Sequence, residues 1–225
     1  MRNHVFIKEK VIQQNMYYKD HIIMKYTIKY PQFISEDYQV LLNKLNSYYR
    51  TRALMYERSN VTNLYQMAMV EYEYSIANSY PIREFEAYVD YTVTYNQNCA
   101  ISLYFDQYEY AGGAHGLTLR YSDTWSLTNS KRMELNDIFP YTTKCKEHII
   151  NNIIEQIESG REMDNNPYFD DYYTLVSKNF KSNNYYLTKD GVIFYFQQYD
   201  IAPYASGIPT FLIPYGCDGA IEPKC

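Results

Sequence analysis

His115 is the residue with the most chemical capacity, set in the loop Gly112-Gly113-Ala114-His115-Gly116. An imidazole facing solvent can move protons near neutral pH, and Glu109 and Asp123 are near enough in sequence to orient one. That arrangement would suit a hydrolase of cell-wall or sugar substrates. The same residues also have a purely structural use. Gly112, Gly113 and Gly116 permit a tight corner, which His115 can brace by hydrogen bonding. No nucleophile or second base is tied to His115 by spacing, so the sequence assigns no catalytic residue. The glycines would cradle a phosphate only if a helix opened directly after them, and a strand pattern follows. His4, His21, His115 and His148 contain no His-x-x-x-His pair, so neither a metal site nor a cofactor is expected. The pairs Glu84/Glu86 and Asp170-Asp171 could suggest glycosidase chemistry. Such a pair must converge across a cleft, and neighbouring acids ordinarily face solvent.

The second candidate is the loop Tyr199-Asp200-Ile201-Ala202-Pro203-Tyr204-Ala205-Ser206-Gly207-Ile208-Pro209. Two prolines stiffen it, Gly207 allows a sharp bend, and Tyr199 and Tyr204 supply rigid aromatic area. A loop already ordered loses little entropy on binding, and tyrosine is enriched at interfaces. The same features would serve a buried crossover with the tyrosines in the core. The expected binding residues are therefore Gly112, Gly113, His115, Tyr199, Pro203, Tyr204 and Ser206.

Apolar periodicity outlines the elements that carry these loops. Residues 4–12 read as a strand, Gln13-Gln14-Asn15 as a polar turn, and residues 18–30 as a long strand ended by Pro31. Ser35 can cap a helix opening at Glu36-Asp37. Its stripe runs from Leu41 to Tyr72, as one helix or as two separated near Ser59-Asn60-Val61-Thr62. Asn60-Val61-Thr62 also matches a glycosylation acceptor, which carries no weight without an export signal. Residues 85–95 and 99–105 form a hairpin turned at Asn96-Gln97-Asn98, and a third strand spans 117–127. Ile149, Ile150, Ile153, Ile154 and Ile157 mark a helix stopping at Gly160, and Asn166-Pro167 opens another. Asp190-Gly191 turns a last hairpin, and a strand follows from Thr210 to Ile213. Segregated strands and helices predict an α+β fold, an antiparallel sheet with helices packed on one side.

The chain has 225 residues, a net charge of −5 and 29 tyrosines. The acidic balance argues against nucleic acid, which demands a basic footprint. Lys8, Glu9 and Lys10 interrupt the apolar start that a secretory signal needs, and no stretch approaches the roughly 20 apolar residues of a membrane span. The sequence as written reads as soluble and cytoplasmic. Cys99, Cys145, Cys217 and Cys225 contain no Cys-x-x-Cys pair. Buried free thiols are expected, with a tail bridge between Cys217 and Cys225 as the alternative.

Two stretches carry a family resemblance. One runs from Tyr108-Glu109-Tyr110-Ala111 through the glycine corner to Glu134-Leu135-Asn136-Asp137-Ile138-Phe139. The other runs from Asn184-Tyr185-Tyr186-Leu187 through Asp190-Gly191 to Pro214. In order and spacing they resemble the RsiV-type domain of bacterial envelope proteins, over about residue 5 to Tyr215. The resemblance implies a small N-terminal subdomain over residues 1–110, a C-terminal one over 111–215, and a tail over 216–225. In that family the domain forms the lysozyme-sensing ectodomain of an anti-sigma factor, accompanies peptidoglycan deacetylases, or stands alone, often outside the cell. With no transmembrane helix and no deacetylase domain, this chain resembles the free-standing form. The implied role is a binding module, with a lysozyme-like protein or a peptidoglycan fragment as partner. A basic lysozyme-like partner would be drawn by the negative charge.

Overall fold

The structure, a computed structural model, describes residues 5–140, 145–161, 167–216 and 219–225. It is α+β. One sheet has the strand order β1-β2-β3-β4-β5-β6, and a second has β7-β8-β9. The chain divides into two compact units, one built from residues 4–91 and 105–119, the other mainly from 92–104 and 120–225.

In the first unit, β1 (Phe6–Tyr18) and β2 (His21–Ile34) form a long antiparallel hairpin. The polar run Gln13-Gln14-Asn15 stays in β1, opposite Thr27, Tyr26 and Lys25, so the turn expected there does not form. The chain reverses instead at Lys19 and Asp20, both at positive φ. β1 is an edge strand with mostly exposed side chains, so polar residues cost it nothing. Pro31 likewise stays inside β2, opposite Glu9. It lies past the stretch Met24–Ile28 that pairs with β3, so its missing N–H breaks no bond on that side.

The chain then enters α1 (Gln39–Tyr56), a π turn over Glu57–Val61, and α2 (Thr62–Ala77). Leu41, Leu45, Tyr49, Ala53 and Tyr56 are buried at helical spacing. The next buried residue is Val61, five positions on, followed by Leu64, Ala68 and Tyr72. The π turn absorbs that extra residue and keeps the apolar stripe on one face. Tyr49 stacks on Phe105 at 5.4 Å between ring centroids. The helical crossover also explains why β3 (Phe85–Gln97) joins β2 in parallel within a mostly antiparallel sheet.

β4 (Ala100–Tyr110) returns from β3 through Asn98 and Cys99, both at positive φ, and β5 (Leu117–Ser126) follows the glycine corner. In the second unit, β6 (Lys131–Arg132) pairs with the end of β5. The capped turn α3 (Leu135–Ile138) leads to α4 (Cys145–Arg161), whose helix runs through Gly160 instead of stopping there. α5 spans Tyr172–Asn179, opening later than Pro167; the expected cap Asn166 lies outside the described residues. β7 (Tyr185–Leu187), β8 (Gly191–Tyr195) and β9 (Thr210–Pro214) complete the small sheet. Ile149, Ile153 and Ile157 of α4 join Val176, Leu187, Phe194, Phe211 and Ile213 in one core.

The cysteines correct the sequence reading. Cys99 and Cys225 form a disulfide closing 126 residues, and only Cys145 is a free, buried thiol among the described residues. Cys217 lies outside those residues, as does His4. The bridge forms because the tail docks. Ile221 donates its N–H to the Ile138 carbonyl, and Tyr95 and Asn98 donate to Glu222. Nothing in the cysteine spacing signals that docking.

α3 offers a pH test. Asp137 accepts the backbone N–H of Glu134 at 2.9 Å and pairs with Lys131 at 3.0 Å. The backbone bond first, then Lys131, holds its carboxyl below the usual carboxylate range. A depressed acid contributes stability above its unfolded pKa of about 3.9, and that contribution fades as pH falls through the folded value. Asp137→Ala should cost about 1 kcal/mol at pH 7. In urea melts the gap to wild type should narrow below about pH 4. A gap unchanged down to strong acid would contradict this role.

Candidate functional site

A hollow with a volume of about 710 Å³ lies in the second unit. Ser122 and Thr124 of β5, Arg132 of β6, and Glu134 and Asn136 around α3 form one part of its wall. Cys145 and Lys146, which open α4, and Ser182, Asn183 and Tyr185 form the rest. Its electrostatics begin with Asp123, whose side chain is 0% exposed and whose Oδ1 is 2.8 Å from Arg132 Nη2. The same nitrogen donates to the Ser122 carbonyl at 2.7 Å. Buried acid and carbonyl together fix the guanidinium, whose side chain remains 45% exposed. Lys146 adds a second cation, its ammonium 5.9 Å from the Phe180 ring centre. Glu134, the one acid among the described lining residues, accepts the Asp137 N–H in the α3 capping box. The excess charge of the lining is positive.

The phenols of this region are neutral donors. Tyr185 donates to the Met133 carbonyl at 2.7 Å, and burial pushes its hydroxyl well above the ordinary tyrosine value. Tyr195 contacts the Ser122 hydroxyl at 3.2 Å, and burial pushes it up to about 12. Cys145 is also pushed up by burial, so it is a poor nucleophile at neutral pH.

The first unit holds a smaller hollow of about 390 Å³. Asn60, Asn63, Leu64 and Met67 line it from the helix, with Glu109, Gly113, His115 and Leu117 opposite. His115 Nδ1 lies 3.0 Å from the Gly116 carbonyl, so the imidazole braces its own corner. Glu109 accepts from Tyr56 and Asn60. Glu109 and His115 thus share one hollow, whereas Asp123, expected beside His115, is engaged with Arg132. The corner's shape depends on two glycines. Gly112 sits at φ +81°, with its carbonyl held by Arg83. A Cβ on Gly116 would lie 2.3 Å from the Tyr108 ring.

In the second unit, Ile201 and Ala202 anchor the Tyr199–Pro209 loop in the core. Asn179 donates to the Asp200 carbonyl and Ser206 to the Pro167 carbonyl. Tyr199 is 49% exposed, and its ring centroid lies 6.0 Å from that of Tyr204. Pro203 is exposed. The loop therefore combines a buried anchor with a tyrosine pair at its surface. It falls in a different unit from Gly112, Gly113 and His115.

Sequence reasoning missed the larger hollow. Arg132, Lys146 and Asn183 belong to no motif, and only the tertiary fold gathers them. The capping box Glu134-x-x-Asp137 was the one local signal nearby. Among the described residues, no group of three His, Cys, Asp or Glu side chains converges to hold a metal ion. Nor, among them, is any helix long and apolar enough to cross a membrane.

Residues 136–216 match the family model described as a protein of unknown function, DUF3298. Residues 18–118 match the model described as Deacetylase PdaC. The chain is thus similar to DUF3298 over its later part and to a PdaC-like stretch before it. A DUF3298-family protein of Bacteroides fragilis has the same fold, with 21% identity, a TM-score of 0.73, and coverage of 96% of this chain and 92% of that one. A DUF3298-family protein of Pseudomonas aeruginosa shares 17% identity at a TM-score of 0.61, covering 97% and 94%. No curated protein matches. The DUF3298 match includes Asn136, Lys146, Asn183 and Tyr185 of the larger hollow; the PdaC-like match includes the whole smaller one.

Proposed function

We propose that this DUF3298-type protein is a non-enzymatic, RsiV-like binding module, and that its ligand is a carboxylate-bearing peptidoglycan fragment seated in the larger hollow. The observation that carries the reading is Arg132, anchored from below by buried Asp123 and still half-exposed beside Lys146. A guanidinium held in one orientation suits a carboxylate, which it can meet through the N–H groups that Asp123 and Ser122 leave exposed. Asn136, Ser182 and Asn183 supply the amides and hydroxyl that sugar hydroxyls pair with. A volume of about 710 Å³ lies in the range of small-ligand sites. The Cys99–Cys225 bridge fits work in an oxidising compartment, where peptidoglycan and lysozyme-like enzymes are met.

A second reading, hydrolysis of a cell-wall or sugar substrate, is favoured by Glu109 and His115 sharing the smaller hollow. A glycosidase needs two carboxylates facing each other, and among the described residues Glu109 is the only one lining it. Among the described residues, no hydroxyl or thiol nucleophile lines it either. Binding remains the better-supported reading.

Calorimetric titration with a disaccharide–peptide muropeptide, neutral chitobiose and lysozyme tests the proposal. Saturable binding of the muropeptide alone is expected, weakened on the order of tenfold by Lys146→Ala. Equal binding of chitobiose would remove the role of the cations. Binding of lysozyme but not muropeptide would replace the glycan with a protein partner.

A further inference from the structure

The smaller hollow holds a positioned carboxylate with no positive partner. Glu109 sits half-buried on β4, and its Oε1 accepts from Tyr56 at 2.8 Å and from Asn60 Nδ2 at 3.1 Å. The Asn60 amide is itself oriented, since its Oδ1 lies 2.8 Å from the Ser59 hydroxyl. Ser59 and Asn60 belong to the π turn, a helical irregularity that recurs at functional sites. Both groups bonded to Glu109 are neutral. Among the described residues, no Lys or Arg pairs with Glu109 or lines the hollow. The carboxylate lies in a concave site, where an opposite charge is worth more than on an open surface.

Asn63 and His115 also line the hollow, and four aliphatic side chains make up an apolar part of its wall. Met67 is 47% exposed and Leu117 44%, and Leu64 and Ala111 flank them. An acid beside an aliphatic wall matches a cation at the end of an aliphatic stem, which buries its methylenes and pairs its head. The wall beneath is rigid, because Gly116 packs directly on the Tyr108 ring.

We propose that this hollow is a binding site for an alkylammonium group, the side chain of a lysine presented by a partner protein. The site is distinct from the anion-binding hollow of the other unit, so neither proposal depends on the other. The chain's net charge of −5 would speed encounter with a lysine-rich partner.

The test is an amide-resolved NMR titration of the whole chain with Nα-acetyl-lysine methylamide and with its uncharged analogue, Nα-acetyl-norleucine methylamide. The lysine compound should give saturable shifts at the Asn60 and Asn63 amides, and the norleucine compound should not. Pentane-1,5-diamine forms a third arm. Binding tighter than that of the lysine amide would assign the site to free diamines and overturn the lysine assignment. Glu109→Gln should weaken the lysine compound on the order of tenfold. The variant should melt like wild type, because the Gln oxygen still accepts from Tyr56 and Asn60. Equal binding of the norleucine compound to wild type would overturn the proposal, whether or not the variant folds. So would undiminished binding to a folded Glu109→Gln protein.

Discussion

Reducing the Cys99–Cys225 disulfide is expected to lower the melting temperature by on the order of 10 °C. The bridge closes 126 residues, and a loop that long restricts the unfolded chain by roughly 5 kcal/mol in the chain-entropy account. A chain of this size loses about 2–4 °C per kcal/mol. The tail has other attachments, the Ile221 N–H on Ile138 and the Glu222 carboxylate on Tyr95 and Asn98. They hold Cys225 beside Cys99 in the native state but do not restrict the unfolded one. The Cys99→Ser/Cys225→Ser double variant should therefore melt low with or without reductant, while Cys145→Ser should stay close to wild type. A wild-type melting point indifferent to reductant would mean that the bridge does not form in the folded protein.

Arg132→Met is expected to destabilise the fold by about 3 kcal/mol, besides abolishing muropeptide binding. The substitution takes the Arg132 cation from the buried Asp123 carboxylate, and a buried charge that loses its ion-pair partner is the expensive part. The half-exposed Arg132 places the effect at the lower end of the range for broken buried pairs. Adding Asp123→Asn removes that charge, so the double variant should recover much of the lost stability without recovering binding. Chemical denaturation of the four proteins of the cycle measures both steps. A double variant as unstable as the sum of the singles would show that the Arg132–Asp123 pair is not the coupling in question.

The elements were legible where burial and periodicity coincide. The α4 stripe of isoleucines, the Asp190-Gly191 hairpin and the alternation of β3 and β4 all follow from side chains that face one core. The long helix was legible too, and its expected break near Ser59–Thr62 is the π turn that absorbs one extra residue. Reasoning failed where solvent removes the constraint. Gln13-Gln14-Asn15 carries turn chemistry but lies on an edge strand that tolerates it. Pro31 reads as a terminator, yet it sits beyond the strand's pairing with β3. The parallel β2–β3 pairing depends on what the helix does between them. Of the candidate sites, the glycine corner and the tyrosine loop were readable in the sequence, each as a local motif. The sequence could not indicate the hollow of Arg132, Lys146 and Asn183, because residues on β6, α4 and the approach to β7 meet only after folding. The disulfide was hidden for the same reason, its partners being 126 positions apart.

A map of backbone and side-chain amide shifts during muropeptide titration puts the account most directly at risk. Perturbations concentrated at Ser122, Arg132, Asn136, Lys146 and Asn183, saturating together, are the predicted result. Shifts confined to Tyr199–Gly207, or a spectrum unchanged at millimolar ligand, would contradict a glycan seated on the guanidinium that Asp123 holds in place.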